Sequence, residues 1–257
     1  MSFFDNVDLS NLPKKVRNSR VLAAVIEIRF ASGINAEKVV WPLAEKLKQL
    51  YNEPQMLPSA SIPREMRQKD KKLQNIPLYI MEHRETALAI CVGDGTLGLT
   101  IRDFKYDSKD SFIKNFMYLY DNVKGMISNI HQLNIRYINM VDKADINPEN
   151  FNFKFEINNK TVLNVPWQST CEFEIDSKKA KVVISNNIKY VYKDKTGSKK
   201  NETEALVLDI DVVKKMDNFE DGKIENIIRD AQLTAKKIFF GLCSKKYIEN
   251  VLVPVEL

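Results

Sequence analysis

Leu133-Asn134-Ile135-Arg136-Tyr137 repeats the earlier stretch Ile26-Glu27-Ile28-Arg29-Phe30 as aliphatic, polar, isoleucine, arginine, aromatic, at an offset of 107 residues. Both stretches alternate apolar and polar side chains with period two, the pattern of a strand that buries one face. Three more matches follow in the same order. Ile146-Asn147-Pro148-Glu149 echoes Ile34-Asn35-Ala36-Glu37 at 112, and Leu208-Asp209-Ile210-Asp211 parallels Leu99-Thr100-Ile101-Arg102 at 109. The apolar face Ile224, Ile228, Ala231, Ala235, Phe239 matches Phe112, Phe116, Leu119, Val123, Ile127 at 112. Ordered matches at nearly constant offset point to an internal duplication.

Outward from the first strand, Asn35 is placed to cap a helix over 36–51, with Val39, Leu43, Leu47 and Leu50 at helical spacing. Residues 52–77, rich in proline and charge, read as a long mobile connection. Short strands are expected near 78–83, 87–92 and 97–103, then a helix over 109–128. In the second half, the alternations Phe151, Phe153, Phe155, Ile157 and Cys171, Phe173, Ile175 predict half-buried strands, and Asn186-Asn187 predicts a hairpin turn. An extended polar loop over 193–204 and a last helix over 223–242 complete the unit, and 247–253 is apolar enough for a final strand or docking segment.

The expected fold class is therefore α+β: two similar halves, each strand, helix, antiparallel meander, helix, forming one curved, mainly antiparallel sheet with helices packed on one face. The expected organisation is a basic arm over 1–20, a first half over 21–128 and a second over 129–257.

The 257 residues carry 39 Lys plus Arg against 34 Asp plus Glu, with 44% hydrophobic content. That balance excludes a wholly disordered chain, a collagen and a disulfide-stapled miniprotein. No apolar run approaches the roughly 20 residues of a membrane helix, and the first 20 residues lack a signal-peptide core. Cys91, Cys171 and Cys243 are far apart and unpaired by any CxxC spacing, so they read as small buried hydrophobes in a reducing, cytoplasmic setting.

The charge is unevenly placed. Lys14, Lys15, Arg17 and Arg20 cluster near the start, and 64–72 and 193–200 each carry a net +3. Such clusters can neutralise phosphates, but they also read as solvated loops, and 30 Lys against 9 Arg weakens the nucleic-acid reading because Arg is the better base reader. The candidate binding residues are Arg29, Arg102 and Arg136 on the polar sheet face, and Lys69, Lys71, Lys72, Lys199 and Lys200 in the basic loops.

Catalytic equipment is sparse. Gly93-Asp94-Gly95-Thr96-Leu97-Gly98 fits GxGxxG literally, but Leu97, Leu99 and Ile101 continue as a strand where a dinucleotide fingerprint needs a helix. Asp94-Gly95 reads instead as a hairpin turn. His83 and His131 have no Cys or His at ligand spacing, so neither metal nor cofactor is expected. Cys91 and His83 could form a couple only if neighbouring strands bring them together. Asp209 and Asp211 share one strand face, as do Glu172, Glu174 and Asp176, so Asp209, Asp211 and Glu174 are the candidate residues of an alternative, metal-dependent hydrolase or nuclease reading. Solvated sheet faces with cross-strand lysine partners explain the same acids. Asn139 shares a face with Leu133, Ile135 and Tyr137, so it is either buried and hydrogen-bonded or marks where the strand leaves the core.

Leu12-Pro13-Lys14, Val25-Ile26-Glu27-Ile28-Arg29-Phe30, Arg136-Tyr137-Ile138-Asn139, Leu208-Asp209-Ile210-Asp211 and the late helix with Ala231, Ile238 and Phe239 together resemble a sporadically distributed, uncharacterised bacterial protein family of about 260 residues. The resemblance runs from about Leu12 onward. It implies a bacterial, cytoplasmic protein, with a patchy distribution that hints at mobile or defence-linked loci, and it supplies no reaction. Members often carry a histidine in the final helix where this chain has Gln232, so the resemblance does not carry a catalytic role over to that position. The functional expectation is a non-enzymatic binding or regulatory protein that engages a partner protein or nucleic acid, with the hydrolase and a small-ligand sensor, its pocket between the halves, as alternatives. A homodimer is compatible with the sequence.

Overall fold

The computed structural model describes residues 12–13, 15–31, 34–103, 106, 108–162, 165–193, 200–217 and 219–256, with side chains at all of these except 190–193, 200–203 and 256. In chain order its elements are β1 (Lys15–Val16), β2 (Val21–Arg29), α1 (Ala36–Leu47), β3 (Gln55–Met56), α2 (Arg64–Lys69), β4 (Tyr79–Glu82), β5 (Leu88–Gly93), β6 (Thr96–Ile101) and α3 (Lys109–Val123). There follow β7 (Gln132–Asp142), β8 (Glu156–Ile157), β9 (Lys160–Thr161), β10 (Trp167–Ile175), β11 (Lys178–Lys193), β12 (Lys200–Lys215), α4 (Ile224–Leu242), α5 (Lys245–Tyr247) and β13 (Pro254–Glu256). The protein is thus mixed α/β, with a large antiparallel sheet and a few helices.

The chain divides into two compact units, the first made of Met1–Leu22, Arg136–Val212 and Gln232–Leu257, the second of Ala23–Ile135 and Val213–Ala231. These bounds differ from 21–128 and 129–257, because β7, β12 and α4 each run from one unit into the other along the chain.

In the second unit the strand order is β2-β6-β5-β4-β3, with Ile26 opposite Leu99 and Leu99 opposite Ile90. Period two sends Ala24, Ile26 and Ile28 to one face, where they are buried with Ile90, Val92, Leu97 and Leu99. The apolar stripes of α1 (Val39, Val40, Leu43, Leu47) and α3 (Phe112, Phe116, Leu119, Val123) are buried too. Asn35 caps α1 as expected, its side chain accepting from the Glu37 N–H at 3.1 Å. The helix ends at Leu47 rather than 51, and Tyr51 instead bridges to His83.

In the first unit the order is β10-β11-β12-β7. The two-residue turn of the β10–β11 hairpin is Asp176-Ser177, both at positive φ (49° and 57°), which makes it type I′. Asn187 also has positive φ (53°), but it lies within the continuous strand β11, so the hairpin expected around Asn186-Asn187 is ten residues upstream. The expected strand over 151–157 reduces to Glu156–Ile157. Its alternation has another cause: the three rings find aromatic partners, Phe151 meeting Phe153 (5.1 Å between ring centroids) and Tyr247 (5.4 Å), and Phe155 stacking on Trp167 (4.7 Å). Aromatic packing produces the period of a strand without its ladder. Asn139 is buried, its amide donating to the Leu208 carbonyl at 3.3 Å.

The basic arm expected over 1–20 is tied down where it is described. Lys15–Val16 pairs with Pro254–Glu256, and Arg20 forks to Asp142 (2.6 Å) and Asp145 (2.5 Å). Residues 1–11 and Lys14 lie outside the described residues.

Candidate binding surface

The connection expected as mobile over 52–77, in the second unit, holds strand β3 and, over 57–77, a set of defined turns. The ends of that set are joined where the Leu57 N–H donates to the Leu78 carbonyl at 2.8 Å and the Ser59 hydroxyl donates to the Pro77 carbonyl. Between them lie a 3-10 turn, Pro58–Ser61, and the short helix α2.

One residue organises this strap. Asp94, in the β5–β6 turn, is 5% exposed, and its Oδ1 accepts from the Ala36 N–H, at the start of α1, at 3.0 Å. Its Oδ2 accepts from Nη2 of Arg67 at 2.8 Å, with Nε of Arg64 3.9 Å away. Arg67, itself 8% exposed, also donates through Nη1 to the Ile62 carbonyl. A carboxylate can be buried this far from water when it is paired and hydrogen-bonded, and the positive end of α1 adds to the attraction. The same charges reach Tyr79: burial raises its pKa first, then Glu37, which accepts its hydroxyl at 2.9 Å, with Asp94 adding to the rise and Arg67 opposing it. Gly93 permits the close approach, since a Cβ there would lie 2.3 Å from the Ile76 carbonyl oxygen. Gly95 closes the turn with φ 79°. The GxGxxG match is therefore a hairpin turn, as its strand pattern implied, and its acid is a structural anchor.

The basic run 64–72 is consequently sorted. Arg67 points inward and Arg64 lies half-buried beside Asp94, whereas Lys69, Lys71 and Lys72 are exposed. The turn after α2 holds the lysines out. The Asp70 side chain accepts the Lys72 N–H at 2.8 Å, and the Asp70 carbonyl accepts from Leu73 and Gln74 at 2.9 and 3.1 Å.

The other sequence-selected residues have different settings. Arg29 donates to Glu27 at 2.9 Å, and Glu27 also accepts from Asn134 at 2.9 Å, so that arginine belongs to a half-buried polar ladder. Arg136 makes a two-pronged pair with Asp209, at 2.7 and 2.5 Å. Arg102 is exposed just beyond β6. Lys199 lies outside the described residues, and Lys200 opens β12, so the expected loop over 193–204 is strand at both ends.

The acids are not drawn together. β11 lies between β10 and β12, which places Glu174 two strands, about 10 Å, from the Asp209/Asp211 strand. Glu174 is opposite Lys179 in register, and Glu172 pairs with Lys181 at 3.5 Å. Among the described residues no group of three or more His, Cys, Asp or Glu could hold a metal ion. Cys91 faces Ile80 rather than His83, and burial raises its thiol pKa, against the partial lowering by Arg102. His83 accepts the backbone N–H groups of Glu85 and Thr86 at 3.1 and 3.2 Å.

A cleft of about 390 Å³ opens within the second unit between the β4–β5 loop (Glu85, Thr86) and the start of α3 (Ser108, Ser111, Phe112), a location the sequence did not suggest. The Asp94–Arg67 anchor was also missed. Its one local sign is an acid placed in a tight turn between two apolar strands, because nothing within the turn says that a guanidinium 27 residues away will reach it.

No helix among the described residues is long and apolar enough to cross a membrane. Comparison with known proteins gives no matching protein-family model and no significant match to a curated protein.

Proposed function

We propose that this is a non-enzymatic binding protein that grips a polyanionic partner, nucleic acid before protein, through the lysines of its strap. The observation that carries this reading is the sorting of 64–72: the arginines turn in to a buried carboxylate, and Lys69, Lys71 and Lys72 are left exposed, with no ion pair for their ammonium groups among the described residues. A solvated loop needs no buried anchor. A rigid one lets three cations meet a phosphate backbone without first losing conformational freedom, and each neutralised phosphate releases counterions. The family resemblance supports a bacterial, cytoplasmic setting, and the ordered offsets of 107–112 support duplication as the origin of the chain.

The test is fluorescence anisotropy with labelled single- and double-stranded DNA and RNA at about 50 and 200 mM salt. Binding should weaken steeply with salt, and the combined Lys69→Gln, Lys71→Gln, Lys72→Gln variant should reduce the log–log salt slope by about 2–3. Absence of binding at low salt, or a slope untouched by the three substitutions, overturns the proposal.

A further inference from the structure

Strand β10 has a single ladder neighbour among the described residues, β11, and it ends the strand order on that side. It is nine residues long, and Gln168, Thr170, Cys171, Glu172 and Glu174 are exposed. A long open edge presents a row of unpaired N–H and C=O groups and is a template for another strand.

The turn chemistry fixes which groups face outward. With Asp176-Ser177 as a two-residue turn, Ile175 and Lys178 form a hydrogen-bonded pair. The odd-numbered residues of β10 therefore bond to β11, and Gln168, Thr170, Glu172 and Glu174 direct their N–H and C=O groups away from it. We infer that a second copy of this chain docks on this edge, β10 pairing antiparallel with its own counterpart about a two-fold axis at Cys171.

The sequence of β10 is self-complementary in that register. Residue numbers of paired positions sum to 342, so Thr170 meets Glu172 of the other copy, Gln168 meets Glu174, Ser169 meets Phe173, and Trp167 meets Ile175. Both acids then lie opposite a hydroxyl or an amide that can donate to them, and no acid faces an acid. Centring two residues' worth of register later, on Glu172, would put that carboxylate against itself, a destabilising arrangement. The outward-facing residues become the hydrogen-bonded pairs. Cys171, on the other parity, faces its own counterpart at a non-hydrogen-bonded position, where Cα atoms approach to about 4.5 Å, within the range a disulfide spans.

The experiment uses the intact protein. Sedimentation should show a dimer, and diamide, which takes up the two electrons and two protons released by two thiols, should link it covalently. The link should disappear in Cys171→Ser and survive Cys91→Ser and Cys243→Ser, while the Cys171→Ser protein still sediments as a dimer. Thr170→Glu places an acid against Glu172 of the other copy twice across the axis and should raise the dissociation constant about tenfold. Adding Glu172→Lys should restore the dimer, which separates a lost interface from a lost fold. A monomer at all concentrations, or a dimer that neither links at Cys171 nor responds to Thr170→Glu, overturns the inference.

Discussion

Replacing Arg67 by methionine removes the guanidinium from Asp94 and keeps most of the buried aliphatic volume. Asp94 is then left 5% exposed with the Ala36 N–H as its close partner and Arg64 at 3.9 Å. Breaking a buried pair by removing one member costs about 3–5 kcal/mol. The nearby Arg64 places this site at the low end, about 3 kcal/mol. With an unfolding entropy of about 2.1 cal/mol/K per residue over 257 residues, or about 0.54 kcal/mol/K, that loss lowers Tm by about 6 °C. The informative measurement is a double-mutant cycle in urea with Asp94→Asn, which keeps an oxygen for the Ala36 N–H and removes the charge. Arg67→Met with Asp94→Asn should be about 2 kcal/mol more stable than the sum of the single losses implies. Hydrogen exchange should localise the Arg67→Met effect to 57–77 and the first turn of α1. Additivity within about 0.5 kcal/mol, or a single-variant loss under about 1 kcal/mol, would refute the claim that this pair anchors the strap.

Two further outcomes follow from the geometry. Gly93→Ala drives a methyl group to 2.3 Å from the Ile76 carbonyl oxygen and should cost about 2–3 kcal/mol, whereas Gly98→Ala, whose nearest atom is at 3.5 Å, should be nearly neutral; equal Tm values for the two would contradict the packing. Asp110 is held below its ordinary pKa first by the hydrogen bond from Arg229, so its stabilisation is complete above the unfolded value near 4 and is lost as pH falls through the lower folded value. Because both side chains are exposed, at 64% and 43%, the effect should stay within a few tenths of a kcal/mol, visible as a shallower acid limb in Asp110→Asn urea titrations at low salt.

What the sequence revealed depended on how local the cause was. Ile26, Ile28, Leu97 and Leu99 were legible because burial on one sheet face imposes period two, and Asn35 because a cap acts within three residues. Asp94-Gly95 was legible as a turn for the same reason. The failures share a different cause. Phe151, Phe153 and Phe155 gave a strand's period although their partners are rings elsewhere in the chain, Tyr247 and Trp167 among them. Asn187 has the backbone angle of a turn residue but is spent inside a strand, while Asp176-Ser177 makes the turn without the favoured glycine. Of the candidate binding residues, Lys69, Lys71 and Lys72 remain exposed, whereas Arg29 and Arg136 are engaged by Glu27 and Asp209. Charge can be counted in a sequence, but the carboxylate opposite it is chosen by tertiary contact.

The pairing of β1 with β13 also sets a timetable for synthesis. Lys15 is matched with Glu256, 241 residues later in the chain. At about 5–20 residues per second, the ribosome takes roughly 12–50 s to supply that partner. Until then β1 has no ladder, and the residues around it share the exposure of any nascent segment whose contacts are distant in sequence. The first unit can therefore close only after β13 has been made and is free to meet β1.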